Sequence, residues 1–329
     1  MNSPKFDTVC SPFDGAPVGQ MPYSYAAEVE RAITAAHLSF QTMRKIPRFP
    51  RADILERTAK VVDARRSEFE STIAAEAGKP LYDAHGEVSR AIFNLSNAAA
   101  EARRYGGHEV PLDMDAGVYE YQTTRSDGGP LSLLGADFAR LAAVRQRIGI
   151  ARRYPIGPIL AISPFNFPLN LVVHKVAPAL AVGNSVVLKP ASQTPLTAQL
   201  LADAFSEAGL PEGVFNVVHC DVSLAERMVR DERFAMVTFT GSASVGWHIK
   251  SIAGKKRVSL ELGGNAAVIV CDDADLDLAA ARCVRGGVVY GGQYCIGVQR
   301  ILVDKRVHDN FLEKIVSRVK ACTVGDPHV

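Results

Sequence analysis

The sequence predicts an α/β fold centred on a doubly wound, mostly parallel sheet, and three observations carry that expectation. Short apolar runs of strand character alternate with helical stretches between residues 154 and 260. A long helical segment precedes them, and a glycine-containing turn after the last run opens another helix. Ligands of such sheets sit outside the carboxyl ends of the strands, so function is sought in the loops there.

Residues 26 to 107 read as helices, because Ala27–Leu38, Arg51–Val62 and Glu87–Leu95 repeat apolar residues at i, i+3 and i+4. Pro47 and Pro50 are expected to separate the first helix from the second, and Gly78-Lys-Pro80 to break again before the third. Residues 115 to 151 differ: Val118–Thr124 alternates like a strand, Ser126–Pro130 is a turn, and a second candidate strand ends at Gln146–Arg153. That pattern suggests a small protruding β ribbon, which needs a partner surface because a lone hairpin is marginal in water. Four strands of the main sheet are expected at Pro158–Ser163, Asn184–Lys189, Gly213–Val218 and Ala235–Thr240, with a helix at Thr197–Phe205 among their connections.

Composition narrows the function classes. The 329 residues suffice for two domains with cores of their own, and 47% apolar with 22% charged residues is ordinary for a globular protein. A net charge of +2 gives no case for capture of nucleic acid or an anionic membrane, and no apolar run is long enough to span a bilayer. Met1-Asn-Ser-Pro-Lys-Phe-Asp7 lacks the apolar core of a signal peptide, so a cytoplasmic location is the expectation. The six cysteines show no Cys-x-x-Cys pair and no histidine at zinc-ligand spacing, which argues for free thiols and no metal site.

Several short motifs carry chemistry. Cys295, in Tyr290-Gly-Gly-Gln-Tyr-Cys-Ile-Gly297, is a candidate nucleophile, and Glu261 in Glu261-Leu-Gly-Gly-Asn265 is a candidate base. A buried cysteine is more often an inert small hydrophobe, so neither segment decides alone. Asn166, in Ser163-Pro-Phe-Asn-Phe-Pro168, sits in a stiff loop after the first strand; its amide can donate to an oxyanion, or simply hold its own turn. Thr240-Gly-Ser-Ala-Ser-Val-Gly246 offers helix N–H groups to a phosphate, or is an ordinary Gly-Ser cap. Lys189-Pro-Ala-Ser192 lies where a dinucleotide ribose would sit, though a solvated lysine at a strand end is common.

In this order the motifs resemble those of the aldehyde dehydrogenase superfamily over essentially the whole chain. The resemblance implies a Rossmann-like dinucleotide-binding domain (residues 1–114 and 152–260), an oligomerisation ribbon (115–151) and the first part of an α/β catalytic domain (261–329). It implies Cys295 as the nucleophile that forms a thiohemiacetal and then a thioester, Glu261 as the base for hydrolysis, Asn166 as oxyanion donor, and Lys175 beside them. Cofactor contacts are implied for Ser163, Phe165, Lys189, Ser192, Gly241, Ser242, Gly246 and Leu262. Ser192 stands where a glutamate would repel a 2′-phosphate, so NAD or NADP is expected, with a lean to NADP or dual use.

The substrate funnel is implied to include Phe167, Asn170, His174, Tyr294 and Ile296, with Arg90 entering from an N-terminal helix. Arg90 and His174 are either a cationic funnel for a small anionic or hydroxylated aldehyde, or a surface arginine and a core histidine. The stretch Cys295–Arg300 resembles members acting on lactaldehyde, succinic semialdehyde, phosphonoacetaldehyde or glyceraldehyde 3-phosphate, although some phosphonate-type members carry arginine where this chain has Tyr294. A homodimer or homotetramer is implied for the intact protein. Family members continue for roughly another domain, about 150 residues, past His328-Val329. The expectation is therefore a fragment of a longer enzyme; the alternative is a homologue that binds nucleotide without catalysis.

Overall fold

The computed structural model describes residues 5–111 and 149–329. The candidate strand Val118–Thr124 and the turn Ser126–Pro130 lie outside the described residues. The chain divides into two compact units, Met1–Arg103 with Pro155–Val329, and Arg104–Tyr154.

The larger unit begins with an antiparallel hairpin, β1 (Phe6–Cys10) and β2 (Pro17–Pro22). Four helices follow: α1 (Ala26–Met43), α2 (Arg48–Ala64), α3 (Arg66–Ala77) and α4 (Leu81–Arg104). Val29, Ile33, Ala36, Phe40 and Met43 form one buried stripe on α1, as helical spacing demands. The expected break between the first two helices falls at residues 44–47, with Pro47 at the N-cap of α2. Pro50 lies inside the first turn of α2, where a backbone N–H has no intrahelical partner to lose, so the helix starts at Arg48. α3 was not foreseen; it ends at Gly78, whose φ of +63° is left-handed and suits glycine.

The central sheet has five parallel strands in the order β7-β6-β5-β8-β9. These are β5 (Ile159–Ile162), β6 (Val186–Lys189), β7 (Phe215–Val217), β8 (Met236–Gly241) and β9 (Arg257–Leu262). The connecting helices are α5 (Asn170–Ala181), α6 (Leu196–Glu207), α7 (Val222–Arg230) and α8 (Ala243–Ile252). Strand side chains alternate between two cores. Ile159, Ala161, Val186 and Leu188 pack with α2, α4, α5 and α6, whereas Leu160, Val187, Val237 and Phe239 pack with α1, α7 and α8. This two-sided burial explains the continuous apolar runs in the sequence, and the expected strands stand within two residues of their observed ends.

β9 extends the sheet beyond the four expected strands. Glu261 pairs with Thr240 and Leu262 with Gly241, so the domain boundary drawn at 261 falls inside this edge strand. Beyond it, β10 (Ala266–Val270) and β11 (Val298–Val303) form a separate parallel pair. They pack with α9 (Leu276–Val288) and α10 (His308–Lys320) around Val270, Ala280, Cys283 and Phe311. Asp275 caps α9 by accepting from the N–H groups of Asp277 and Leu278, each at 3.0 Å.

In the smaller unit, β3 (His108–Val110) pairs antiparallel with β4 (Gly149–Ala151), and the Arg153 guanidinium lies 5.4 Å from the Tyr105 ring centre. β4 lies inside the expected second ribbon strand; β3 was not foreseen. No helix among the described residues is long and apolar enough to cross a membrane.

Candidate active site

The loop from β5 to α5 and the loop before β11 meet at the carboxyl end of the sheet. Asn166 Nδ2 donates to the Gln293 carbonyl at 2.7 Å, which fixes the first loop to the segment leading into Cys295. The edge of the Phe167 ring meets Tyr294 at 4.9 Å between centroids. Cys295 is exposed, and its carbonyl lies against the Glu261-Leu-Gly-Gly strand end: a Cβ at Gly264 would stand 2.6 Å from Cys295 O. Only glycine permits that approach. The candidate nucleophile's loop therefore lies against both candidate partners' segments, with Asn166 on one side and Glu261-Leu-Gly-Gly on the other.

The backbone before Cys295 is tightly turned. Tyr290, Gly291 and Gly292 have φ of +52°, +63° and +76°, and Tyr290 is the one non-glycine residue with positive φ among those described. A left-handed tyrosine persists only where its surroundings over-determine it. Here the ring is buried, its hydroxyl donates to Ala77 O at 2.9 Å, and Lys79 Nζ lies 4.7 Å from the ring centre. Lys79 also sits 3.7 Å from the centre of Phe167 and pairs with Glu87, both ionic groups being fully buried. Glu87 accepts in addition from the N–H groups of Leu169 and Asn170, each at 3.0 Å, and so caps α5. One carboxylate on α4 thus braces the loop of Asn166 through the helix start and, through Lys79, the rings of Phe167 and Tyr290.

Lys175 of α5 and Glu261 of β9 lie close enough to interact electrostatically. Lys175 Nζ is buried and donates to Thr238 Oγ1 at 3.1 Å. Burial lowers its pKa to about 8, against the opposing pull of the Glu261 carboxylate. Glu261 itself is exposed, at the carboxyl end of β9. On the side wall, Asn94 of α4 donates to Asn170 Oδ1 and to His174 Nε2, each at 2.9 Å. Burial, then the charges of Lys175 and Arg90, hold the His174 imidazole below its ordinary pKa. Arg90 is exposed within reach of this field, and Ile296 is 76% exposed beside Cys295.

The nucleotide candidates fall into a connected set. A cavity of about 470 Å³ opens between α7 and α8, lined by Ile162, Lys189, Val222, Ala225, Val245 and Ile249 among others. Lys189 ends β6, burial holds its pKa below the ordinary lysine value, and its Nζ stands 3.5 Å from Ser192 Oγ. Gly241 ends β8, and Ser242 precedes α8 without capping it through its side chain, which leaves first-turn N–H groups for an anion. A Cβ at Gly246 would meet Leu262 at 2.5 Å, so glycine here allows close packing of helix on strand. Ser163 N–H donates to Lys189 O at 3.2 Å, joining the first two strand ends.

Phe165 adjoins this set through Ser192. It lines a second cavity of about 450 Å³ together with Glu76, Ser192, Thr194 and Gln293, and its carbonyl accepts from Thr194 Oγ1 at 3.5 Å. Glu76 caps α6 from α3, accepting from Leu196 N at 2.8 Å and from the Thr197 backbone and hydroxyl; burial pushes its pKa up to about 7. Sequence reasoning missed Glu76, Lys79, Glu87 and Asn94. All six cysteines are unpaired, and no group of three or more His, Cys, Asp or Glu placed to hold a metal occurs among the described residues.

Comparison with known proteins gives a coherent set. The model of the aldehyde dehydrogenase family matches residues 2–329. Aspartate-semialdehyde dehydrogenase 1 of Pseudomonas canavaninivorans is 38% identical over 97% of this chain and 62% of its own length. Aldehyde dehydrogenase 21 from Physcomitrella patens, solved with its reaction product succinate, is 36% identical with a TM-score of 0.88, covering 100% of this chain and 63% of that one. Glyceraldehyde-3-phosphate dehydrogenase from Methanocaldococcus jannaschii, solved with NADP, is 33% identical with a TM-score of 0.86, over 100% and 66% respectively. The chain spans between 57% and 63% of the length of the curated relatives it matches.

Proposed function

The chain belongs to the aldehyde dehydrogenase family, and from that premise we propose that it oxidises a small anionic or hydroxylated aldehyde to its carboxylic acid with NAD or NADP. The observation that carries the proposal is the seat of the Cys295 loop, between the Asn166 amide and the glycines that follow Glu261.

In this proposal the Cys295 thiolate adds to the aldehyde carbon and the carbonyl oxygen takes up the charge. Asn166 Nδ2 spends one hydrogen on Gln293 and keeps a second for that oxygen, with the Cys295 N–H as the other donor. Loss of hydride from the thiohemiacetal leaves a thioester on Sγ; when bound, the nicotinamide supplies the hydride acceptor. Glu261 then removes a proton from the water that attacks the thioester carbon, and Sγ departs as thiolate. Lys175 stays buried, and the negative charge of Glu261 works against the lowering of its pKa by burial.

The residues present fit a dinucleotide. Val222, Ala225, Val245 and Ile249 would offer an apolar slot for the base, Lys189 and Ser192 would hold the ribose, and Gly241, Ser242 and Gly246 would leave the start of α8 open to phosphate. Ser192 carries no charge to repel a 2′-phosphate, which supports NADP or dual use. The substrate class is supported by Arg90 and by relatives whose names specify aldehydes with an anionic group. The same proposal takes the intact protein as a cytoplasmic homo-oligomer, to be checked by sedimentation.

The test is the appearance of reduced cofactor when the protein from its native source meets a panel of small aldehydes with NAD and with NADP. Turnover that disappears in Cys295→Ala supports the proposal; absence of turnover with every aldehyde and both cofactors overturns it.

A further inference from the structure

We propose that Asn94 is a positioning residue which fixes His174 as a neutral imidazole with its proton on Nδ1, giving the substrate wall one oriented neutral donor beside the Arg90 cation. The proposal rests on the aldehyde oxidation proposed above and names how the anionic end of the substrate is received.

The argument is an inventory of hydrogens. The Asn94 amide nitrogen has two, and both are committed at 2.9 Å, one to Asn170 Oδ1 and one to His174 Nε2. The backbone at Asn170 is fixed, because its N–H donates to the buried Glu87 carboxylate at 3.0 Å. With Asn170 Oδ1 accepting, the nitrogen end of Asn94 faces α5, and His174 Nε2 must accept. An accepting Nε2 carries no hydrogen, so the single proton of the neutral ring lies on Nδ1.

The charges around the ring act the same way. Burial first, then Lys175 on α5 and Arg90 on α4, disfavour an imidazolium, and Glu261 on β9 opposes them. A protonated His174 would also turn Nε2 into a donor facing the Asn94 donor, at the cost of that hydrogen bond. The side wall therefore holds one permanent cation and one neutral donor of fixed direction. A carboxylate, sulfonate or phosphate at the far end of a small aldehyde can accept from both. Asn94 touches neither aldehyde nor cofactor in this scheme; it acts through His174.

The experiment is a long-range ¹H–¹⁵N spectrum of the imidazoles in uniformly labelled protein near neutral pH, with His174 assigned from a His174→Asn sample. The expected result is a neutral ring with its proton on Nδ1 in the wild type, and loss of that preference in Asn94→Ala. In kinetics, Asn94→Ala should raise KM for succinic semialdehyde about three- to tenfold more than KM for propanal, the scale of one neutral hydrogen bond. A wild-type ring protonated on Nε2, or a variant that weakens propanal equally, overturns the proposal. The spectrum requires no turnover, so a protein that oxidises no aldehyde removes the proposed function while the tautomer is still decided on its own.

Discussion

Asn166 and Gln293, 127 residues apart in the chain, are joined by a 2.7 Å hydrogen bond from the Asn166 amide to the Gln293 carbonyl. The bond sets the distance between the first loop of the sheet and the segment that presents Cys295. Oδ1 of the same amide is buried without a partner, an arrangement tolerated where the side chain is held for its donors.

Asn166→Ala should therefore lower kcat by about 10²–10³, the usual cost of an oxyanion donor. The loss of the Gln293 bond should cost about 1 kcal/mol of stability. Steady-state kinetics and urea denaturation separate the two. A full loss of stability with normal kcat in the surviving fraction would contradict the role given to the amide.

Gly264→Ala tests the other side of the same loop. A Cβ there would press on Cys295 O at 2.6 Å, and a backbone oxygen cannot swing aside as a side chain does. The Cys295 loop should shift, and kcat/KM should fall about 100-fold, the scale of a 1 Å misplacement. Gly264 is exposed, so the denaturation midpoint should hardly move. Unchanged turnover would remove the close approach from the account.

Glu76 predicts a pH dependence of stability. Its folded pKa is raised to about 7 from 4.5, so the native state binds more protons than the unfolded chain between those values. Stability is consequently lost as pH rises from about 4.5 to 7 and is level above. Glu76→Gln should gain on the wild type across that window, by on the order of 2–3 kcal/mol. Urea denaturation at a series of pH values measures it; parallel curves for the two proteins would refute the assignment.

Ser192→Glu should discriminate the cofactors. A carboxylate in place of the hydroxyl that stands 3.5 Å from Lys189 would engage the lysine and repel a 2′-phosphate. KM for NADP should rise by about tenfold or more, with KM for NAD unchanged or lower. Equal effects on both would place the 2′-position away from Ser192.

Much of this architecture was legible in the sequence because its signals are local. Two-sided burial makes β5 and β6 continuous apolar runs, and the Thr240–Gly246 turn announces its own strand-to-helix change. What the sequence concealed depends on distant partners. Glu76, Glu87 and Asn94 look like solvent-facing residues of helices until α6 and α5 arrive, 120, 82 and 76 residues further on. The hairpin β1–β2 was hidden for the same reason: its prolines and Gly19 argue against a strand, while burial of Val9 and Met21 in tertiary contacts overrides them. The break signalled by Pro47 and Pro50 is present, but α2 begins before Pro50 because a first-turn proline loses no intrahelical bond.

The central claim is that oxidation runs through a covalent acyl group on Cys295. The most direct measurement is rapid quenching during turnover with NAD(P) and succinic semialdehyde, followed by peptide mapping by mass. The account predicts a succinyl mass on the peptide containing Cys295, accumulating in Glu261→Gln and absent in Cys295→Ala. Reduced cofactor formed at the normal rate by Cys295→Ala, or an acyl group on Cys10, Cys271 or Cys322 instead, would contradict it.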